Sequence, residues 1–207
     1  LQSWQELYRS YGFELTLDTW SAAIGTLESP FDPHQDLEMR AGRPIPWGPV
    51  GARRRERELE LILRRPLQPG VMAYLQDARR LGLRLGVASS SPHEWVDGHL
   101  KRLGLWEYFQ AVCCAGDAPL TKPDPGLYLA ALKALQVHPE QAVALEDSPN
   151  GALAACRAGM FCVTVPTEIT RQLPFGEVDL VLESLADLPL AELLTQLEAL
   201  SRRNGKC

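Results

Sequence analysis

The 207-residue sequence has no uninterrupted apolar run near the roughly 20 residues that a membrane-crossing helix needs. No basic stretch followed by an apolar segment opens it, so a secretory leader is not expected. It also lacks a basic excess. With 21 Lys+Arg against 26 Asp+Glu the net charge is −5, which argues against a nucleic-acid or anionic-membrane binder. Cysteine is sparse and odd in number: Cys113, Cys114, Cys156, Cys162 and Cys207, with no Cys-x-x-Cys pair. A chain this long has no need of a disulfide framework, so buried, reduced thiols in a cytoplasmic protein are expected. Internal repeats and low-complexity segments are absent. What is present, 45% hydrophobic and 23% charged residues, is the composition of an ordinary globular protein with one core domain and a small appendage.

The pattern changes near residue 66. Before it, helical periodicity and polarity dominate. Trp4, Leu7, Tyr8 and Tyr11 recur at helical spacing over Leu1 to Tyr11, and Gly12 stops that helix. Thr16 or Asp18 caps the next, which carries Trp20, Ala23 and Ile24. Residues 42–51 hold three prolines and three glycines, too many breakers for a helix. A charged helix then resumes over Ala52 to Leu63, with Arg53, Arg54, Arg55 and Arg57 among glutamates, read as a solvated face laced by i,i+4 pairs rather than a substrate surface. The division is expected at 1–66 and 67–207.

After Pro66, helices and short apolar strands alternate. Helices are expected over Val71–Leu81, Glu94–Leu103, Pro125–Leu135, Pro149–Ala158 and Leu190–Leu200. Strands are expected over Leu83–Ala88, Ala111–Cys114, Ala142–Leu145, Phe161–Val165 and Val178–Leu182. This is the signature of an α/β fold, a parallel sheet covered on both faces. Ligands in such folds bind beyond the carboxyl ends of the strands.

Three strand ends carry chemistry. The first continues into Ser89-Ser90-Ser91-Pro92, which offers hydroxyls and free amides to an anion; alternatively Ser89 makes a local turn and Ser91 caps the next helix. The second leads to Thr121-Lys122-Pro123-Asp124-Pro125. Lys122, held extended before a proline, suits a phosphate, or is a surface lysine, and Asp124 caps the helix that follows. The third ends in Glu146-Asp147-Ser148-Pro149-Asn150-Gly151. Two adjacent carboxylates repel, and a divalent ion such as Mg²⁺ would relieve them; alternatively they form an acidic turn in which Asp147 or Ser148 caps a helix. All three lie on one edge of one sheet. A hydroxyl, a fixed ammonium and a carboxylate pair are the set that phosphoryl transfer needs.

Ser89, the Lys122-Pro123-Asp124-Pro125 segment and Glu146 to Gly151 resemble the second, third and fourth motifs of the haloacid dehalogenase-like (HAD) superfamily, within it the β-phosphoglucomutase-like phosphatases. The resemblance implies a Rossmann-like core over residue 67 onward and a small α-helical cap over residues 1–66. It implies a Mg²⁺-dependent hydrolase of a small phosphorylated metabolite, acting through a phosphoaspartyl intermediate, with no nucleic-acid or membrane partner, as a monomer or weak dimer. Ser89 and the Ser90 amide would bind phosphoryl oxygens, Lys122 would neutralise charge, and Asp147 would ligate Mg²⁺ with Glu146 as co-ligand or support.

One part of the pattern is missing. The family's first motif, Asp-x-Asp, supplies the nucleophile and general acid at the end of the first, central strand, and no two aspartates lie two positions apart here. The sequence begins with Leu1 where the family's cap begins, so a fragment is expected, short by about 15–20 residues, one strand and its loop. Without that strand, two groups of strands should face each other with unpaired inner edges, and the chain alone should be inert. A phosphosugar mutase and a non-catalytic, degenerate HAD-like binding protein are the alternatives. A dehalogenase is disfavoured because that chemistry needs no metal. A receiver-type signalling domain is disfavoured by the cap and by the Lys-Pro-Asp-Pro segment. Within the cap, His34, Arg40, Arg43 and Trp47 either select substrate or simply pack.

Overall fold

A computed structural model describes residues 1–21, 23–24 and 29–204, with side chains described to Ser201; Cys207 lies outside them. The chain divides into two compact units, one of residues up to Leu67 and one from Gln68 onward.

The first unit is helical: α1 (Gln2–Ser10), α2 (Leu17–Ser21), α3 (Pro33–Ala41) and α4 (Trp47–Leu63). Its core is Trp4, Tyr8, Leu15, Leu37, Ile45 and Val50. The Thr16 hydroxyl accepts from the Thr19 amide and so caps α2. Asp32 caps α3, its carboxylate accepting from the His34 amide at 2.8 Å, and Pro33 takes the first helical position. The expectation that residues 42–51 exclude a helix is corrected at its end. α4 already begins at Trp47, because Gly48 and Pro49 fall in its first turn, where the lost proline N–H would have had no partner anyway. The arginine run behaves as expected: Arg54 pairs with Glu58, and Arg57 with Glu60 and Glu6.

The second unit is the expected α/β layer structure. Its elements are α5 (Val71–Arg80), β1 (Gly86–Pro92), α6 (His93–Arg102), β2 (Ala111–Ala115), α7 (Gly126–Leu135), β3 (Val143–Glu146), α8 (Pro149–Arg157), β4 (Phe161–Thr164), β5 (Leu180–Val181) and α9 (Leu190–Asn204). Gly70, at φ +85° before α5, lies against the Leu185–Ala186 backbone, where a β-carbon would not fit. Every strand pair is parallel. Successive residues of β4 serve opposite faces. Cys162 packs with Tyr128 and Leu132 of α7 and the alanines of α8, while Val163 packs with Tyr74 and Ala78 of α5 and Leu193 and Leu197 of α9.

Among the described residues the strands form two sheets, not one: β1–β2 and β3–β4–β5. This is the split expected when a central strand is lacking. β1 departs from its expected span. Its regular register with β2 ends at Ala88, but after an irregularity it pairs again at Pro92 with Ala115, so the serine run lies inside the strand. Ser91 therefore does not cap a helix; Pro92 precedes α6 with no side-chain cap. Of the described cysteines, Cys113, Cys114 and Cys162 are buried free thiols, and Cys156 is free but exposed.

Candidate active site

Local structure fixes each group. Beyond β2, the loop from Gly116 to Pro125 turns Lys122 inward, with a cis peptide bond to Pro123. The Asp124 carboxylate accepts from the Gly126 amide at 2.8 Å and pins the start of α7. Beyond β3, Ser148 caps α8 by accepting from the Gly151 amide at 3.1 Å, so Ser148 rather than Asp147 is the cap. Pro149 at the first helical position stops the strand.

These segments bring a lysine and a glutamate together out of solvent. Lys122 is 7% exposed and Glu146 5%. The Lys122 ammonium donates to Glu146 Oε1, and the buried Tyr128 phenol donates to the same oxygen. The Ser148 hydroxyl lies 3.4 Å from Oε2. A buried ion pair loses hydration on both sides and is tolerable only when further hydrogen bonds compensate, as the phenol does here. Burial, and then the Glu146 charge, push the Tyr128 phenol well above its ordinary value, so it remains a donor.

Glu146 and Asp147 part company. Glu146 points into the protein, and the exposed Asp147 does not share its partners. Crowding by surrounding atoms raises the Asp147 carboxyl; the adjacent Glu146 charge adds to this and the Lys122 ammonium opposes it. The residue as a whole is nonetheless exposed. The Lys122 ammonium sets a positive charge against Glu146.

The serine run touches the same corner. Ser90 Oγ accepts from the Lys122 amide at 3.2 Å. Ser89 Oγ is half-buried and accepts from the Ser91 amide at 3.2 Å, the local turn foreseen as the alternative role. The structure thus joins Ser90, Lys122 and Glu146 by direct bonds, with Ser89 and Asp147 as chain neighbours.

In the helical unit the candidate selectors are engaged within that unit. His34 stacks edge-on against Trp4 and Trp47, and Trp47 Nε1 donates to Glu38 at 2.9 Å. Arg40 pairs with Asp36 at 2.8 Å, and the Arg43 guanidinium lies over the Tyr11 ring.

Sequence reading did not find Tyr128, and it named Gly151 only as the last residue of the third strand-end motif, without a role. Tyr128 sits on the buried stripe of α7, where spacing marks only a core position. A β-carbon at Gly151 would collide with the Glu146 carboxylate, a constraint no motif spacing reveals. It also missed a cluster at the start of α6. His93 Nε2 lies 2.7 Å from Asp117 and Nδ1 3.3 Å from Asp97, with Cys114 close by. Both ring nitrogens meet carboxylates, which makes this an ion-paired clasp between α6 and the end of β2. Burial, and then those carboxylates, hold the Cys114 thiol up at about 11, so it stays protonated.

Comparison with known proteins shows the family. The chain is 43% identical over 195 residues to YhcW of Bacillus subtilis (strain 168), whose name marks it as a candidate phosphatase, covering 94% of this chain and 88% of that one. It is 37% identical over 131 residues to hexitol phosphatase B of Escherichia coli (strain K12), covering 63% of this chain and 59% of that protein, less than two thirds of its length. The crystal structure of a CbbY mutant from Rhodobacter sphaeroides in complex with xylulose-(1,5)bisphosphate superposes with a TM-score of 0.71 at 29% identity, over 93% of this chain and 90% of that one. A β-phosphoglucomutase from Clostridium difficile superposes at 0.70 with 20% identity over 96% and 89% of the two chains, a likeness of fold alone. The family model for haloacid dehalogenase-like hydrolases matches residues 18–159, more than half of the sequence. With its parallel strands and strand-end lysine and carboxylates, the chain belongs to the haloacid dehalogenase-like hydrolases.

Proposed function

We propose that this chain serves a Mg²⁺-dependent phosphatase of a small phosphorylated metabolite, with residues 1–66 as a helical cap and residues 67–207 as the catalytic core. The observation that carries the reading is the bonded corner of Ser90, Lys122 and Glu146, a buried ammonium fixed beside a serine-rich turn. Relatives named as phosphatases support the reaction class, and CbbY structures holding phosphate and a sugar bisphosphate support the substrate class.

In this reading the Ser89 hydroxyl and the Ser90 amide hold phosphoryl oxygens. The Lys122 ammonium balances their charge, and Glu146 and Tyr128 keep that ammonium in place. Asp147 would hold Mg²⁺. The donor chemistry fits: Mg²⁺ takes one or two carboxylates, retains several waters, and shares the remaining positions with a substrate phosphate. Asp147 is an exposed oxygen donor of that kind, whereas Glu146 is committed to Lys122 and supports rather than ligates. When bound, the ion adds charge neutralisation at the phosphoryl group.

The attacking carboxylate is not among these residues, because no two aspartates lie two positions apart. The 207 residues alone are therefore expected to be inert. Fusing a strand that ends in Asp-x-Asp ahead of Leu1 should give Mg²⁺-dependent hydrolysis of p-nitrophenyl phosphate, abolished by EDTA. Lys122→Ala in that protein should lower kcat by about 10²–10³, the scale for removing one preorganised charge-stabilising group. A fused protein that folds yet stays inert, or one whose turnover ignores EDTA, would defeat the proposal.

A further inference from the structure

At the start of α6, His93 and Asp97 stand four residues apart and share one helix face. Cys114 of β2 meets that face. One ligand atom from each of the three, a ring nitrogen, a carboxylate oxygen and Sγ, lies within 4.8 Å of the other two. None of these residues has a part in the proposed phosphatase chemistry.

Two observations set this cluster apart from a surface ion pair. The Cys114 side chain is fully buried, yet the Asp97 charge first and the Asp117 charge second bear on its thiol. A thiol buried only for packing has no need of carboxylates around it, whereas a cation held beside it would draw on all three groups. Asp117 also ties two of the groups together. Its Oδ2 accepts from the Cys114 amide at 2.8 Å and lies 2.7 Å from His93 Nε2. With the Nε2 proton donated to Asp117, the neutral ring keeps its lone pair on Nδ1. Nδ1 is the nitrogen that faces Asp97, at 3.3 Å. A carboxylate on the far ring nitrogen is what orients a metal-binding imidazole.

We propose that His93 Nδ1, the Asp97 carboxylate and Cys114 Sγ form a Zn²⁺ site, with Asp117 orienting the imidazole and water in the fourth position. The donors choose the ion. Imidazole and thiolate suit zinc, whereas Mg²⁺ takes oxygen donors, so this site and the one proposed at Asp147 bind different metals. Tetrahedral zinc with bonds of about 2.0–2.3 Å sets its ligand atoms about 3.3–3.8 Å apart, so closure needs an inward shift of about 1–1.5 Å. His93 and Asp97 can make it, since their side chains are 44% and 26% exposed. That exposure also gives the ion a path to the buried sulfur. Without metal, a proton on each ring nitrogen holds the clasp. Zinc displaces the Nδ1 proton and the thiol proton, two protons leave to solvent, and affinity rises with pH.

The test uses the 207-residue protein, stripped with a chelator, and the metals alone. Co²⁺ should bind one per chain with a thiolate-to-cobalt charge-transfer band in the near ultraviolet and tetrahedral visible bands. Zn²⁺ should bleach both and raise the melting temperature, and a large excess of Mg²⁺ should do neither. Cys114→Ala should abolish the charge-transfer band, while Cys156→Ser should keep it. Because Cys114 is buried, the more exposed His93→Gln supplies a second variant, which should lose at least tenfold in zinc affinity at an unchanged metal-free melting temperature. Asp117→Asn should weaken zinc by about 10–100-fold while preserving the band, the loss seen when a ligand's orienting partner is removed. Asp147→Asn should leave the spectrum unchanged, which separates this site from the phosphatase proposal. Cobalt binding without a thiolate band overturns the proposal. So does a band that survives Cys114→Ala, or zinc affinity that ignores His93→Gln.

Discussion

At the scale of single residues, two glycines make opposite cases. Gly151 lies where any β-carbon would strike the Glu146 carboxylate. Gly151→Ala should displace Glu146 from Lys122 and Tyr128 and cost about 1–3 kcal/mol, the range for overpacking a filled site. Gly98, inside α6, has nothing within 4 Å of an added β-carbon. Gly98→Ala should stabilise by about 0.4–1 kcal/mol by restricting the unfolded chain. Urea denaturation of both variants checks the pair. His93 adds a pH dependence. Asp117 first and Asp97 second raise its imidazole above the ordinary value of 6.5. Its contribution to stability is therefore fully present below pH 6.5 and fades as pH rises through the higher folded value. Asp117 is held low by the Cys114 amide and then by His93, so its contribution is present above 3.8 and is lost as pH falls through its lowered value. Denaturant midpoints should decline above neutrality in the parent protein and stay flatter in Asp117→Asn, whose His93 should titrate lower by NMR.

At the scale of elements, α3 rests on its start. Asp32 supplies one of its orphan amides with a partner, and Asp32→Ala should cost about 1 kcal/mol, read as a lowered denaturation midpoint. Most helices of the second unit were legible because periodicity and terminators agreed: Gly104 and Gly159, both at positive φ, follow the ends of α6 and α8. α4 was less legible at its start, because proline and glycine counted as breakers are harmless in a first turn. β1 was legible only as far as Ala88. Beyond it the irregular re-pairing at Pro92 depends on β2, and no local propensity encodes that. Lys122, Glu146 and Ser90 could be picked out by residue type at strand ends. Their bonded order could not, because the divergence of Glu146 and Asp147 follows from strand alternation meeting a helix cap.

At the scale of the whole molecule, the sheet is held in two parts. No hydrogen-bonded strand pair among the described residues links β1–β2 to β3–β4–β5. Cooperative units in native-state hydrogen exchange follow contiguous hydrogen-bonded structure. Amides of β1 and β2 should exchange with one free energy of opening and those of β3 and β4 with another, higher one, since β4 is the strand packed on both faces. A single shared value would show that the helices alone couple the two. The α/β class and the parallel sheet were readable from alternation of elements, and the division of the sheet was readable from a motif that the sequence does not contain.

The divided sheet has a mechanical consequence. Pull or heat applied to this molecule meets a seam with no hydrogen-bonded strand pair across it among the described residues. Yielding should begin as the layers of β1–β2 and α6 slide away from the rest, while β3, β4 and the helices against them still stand.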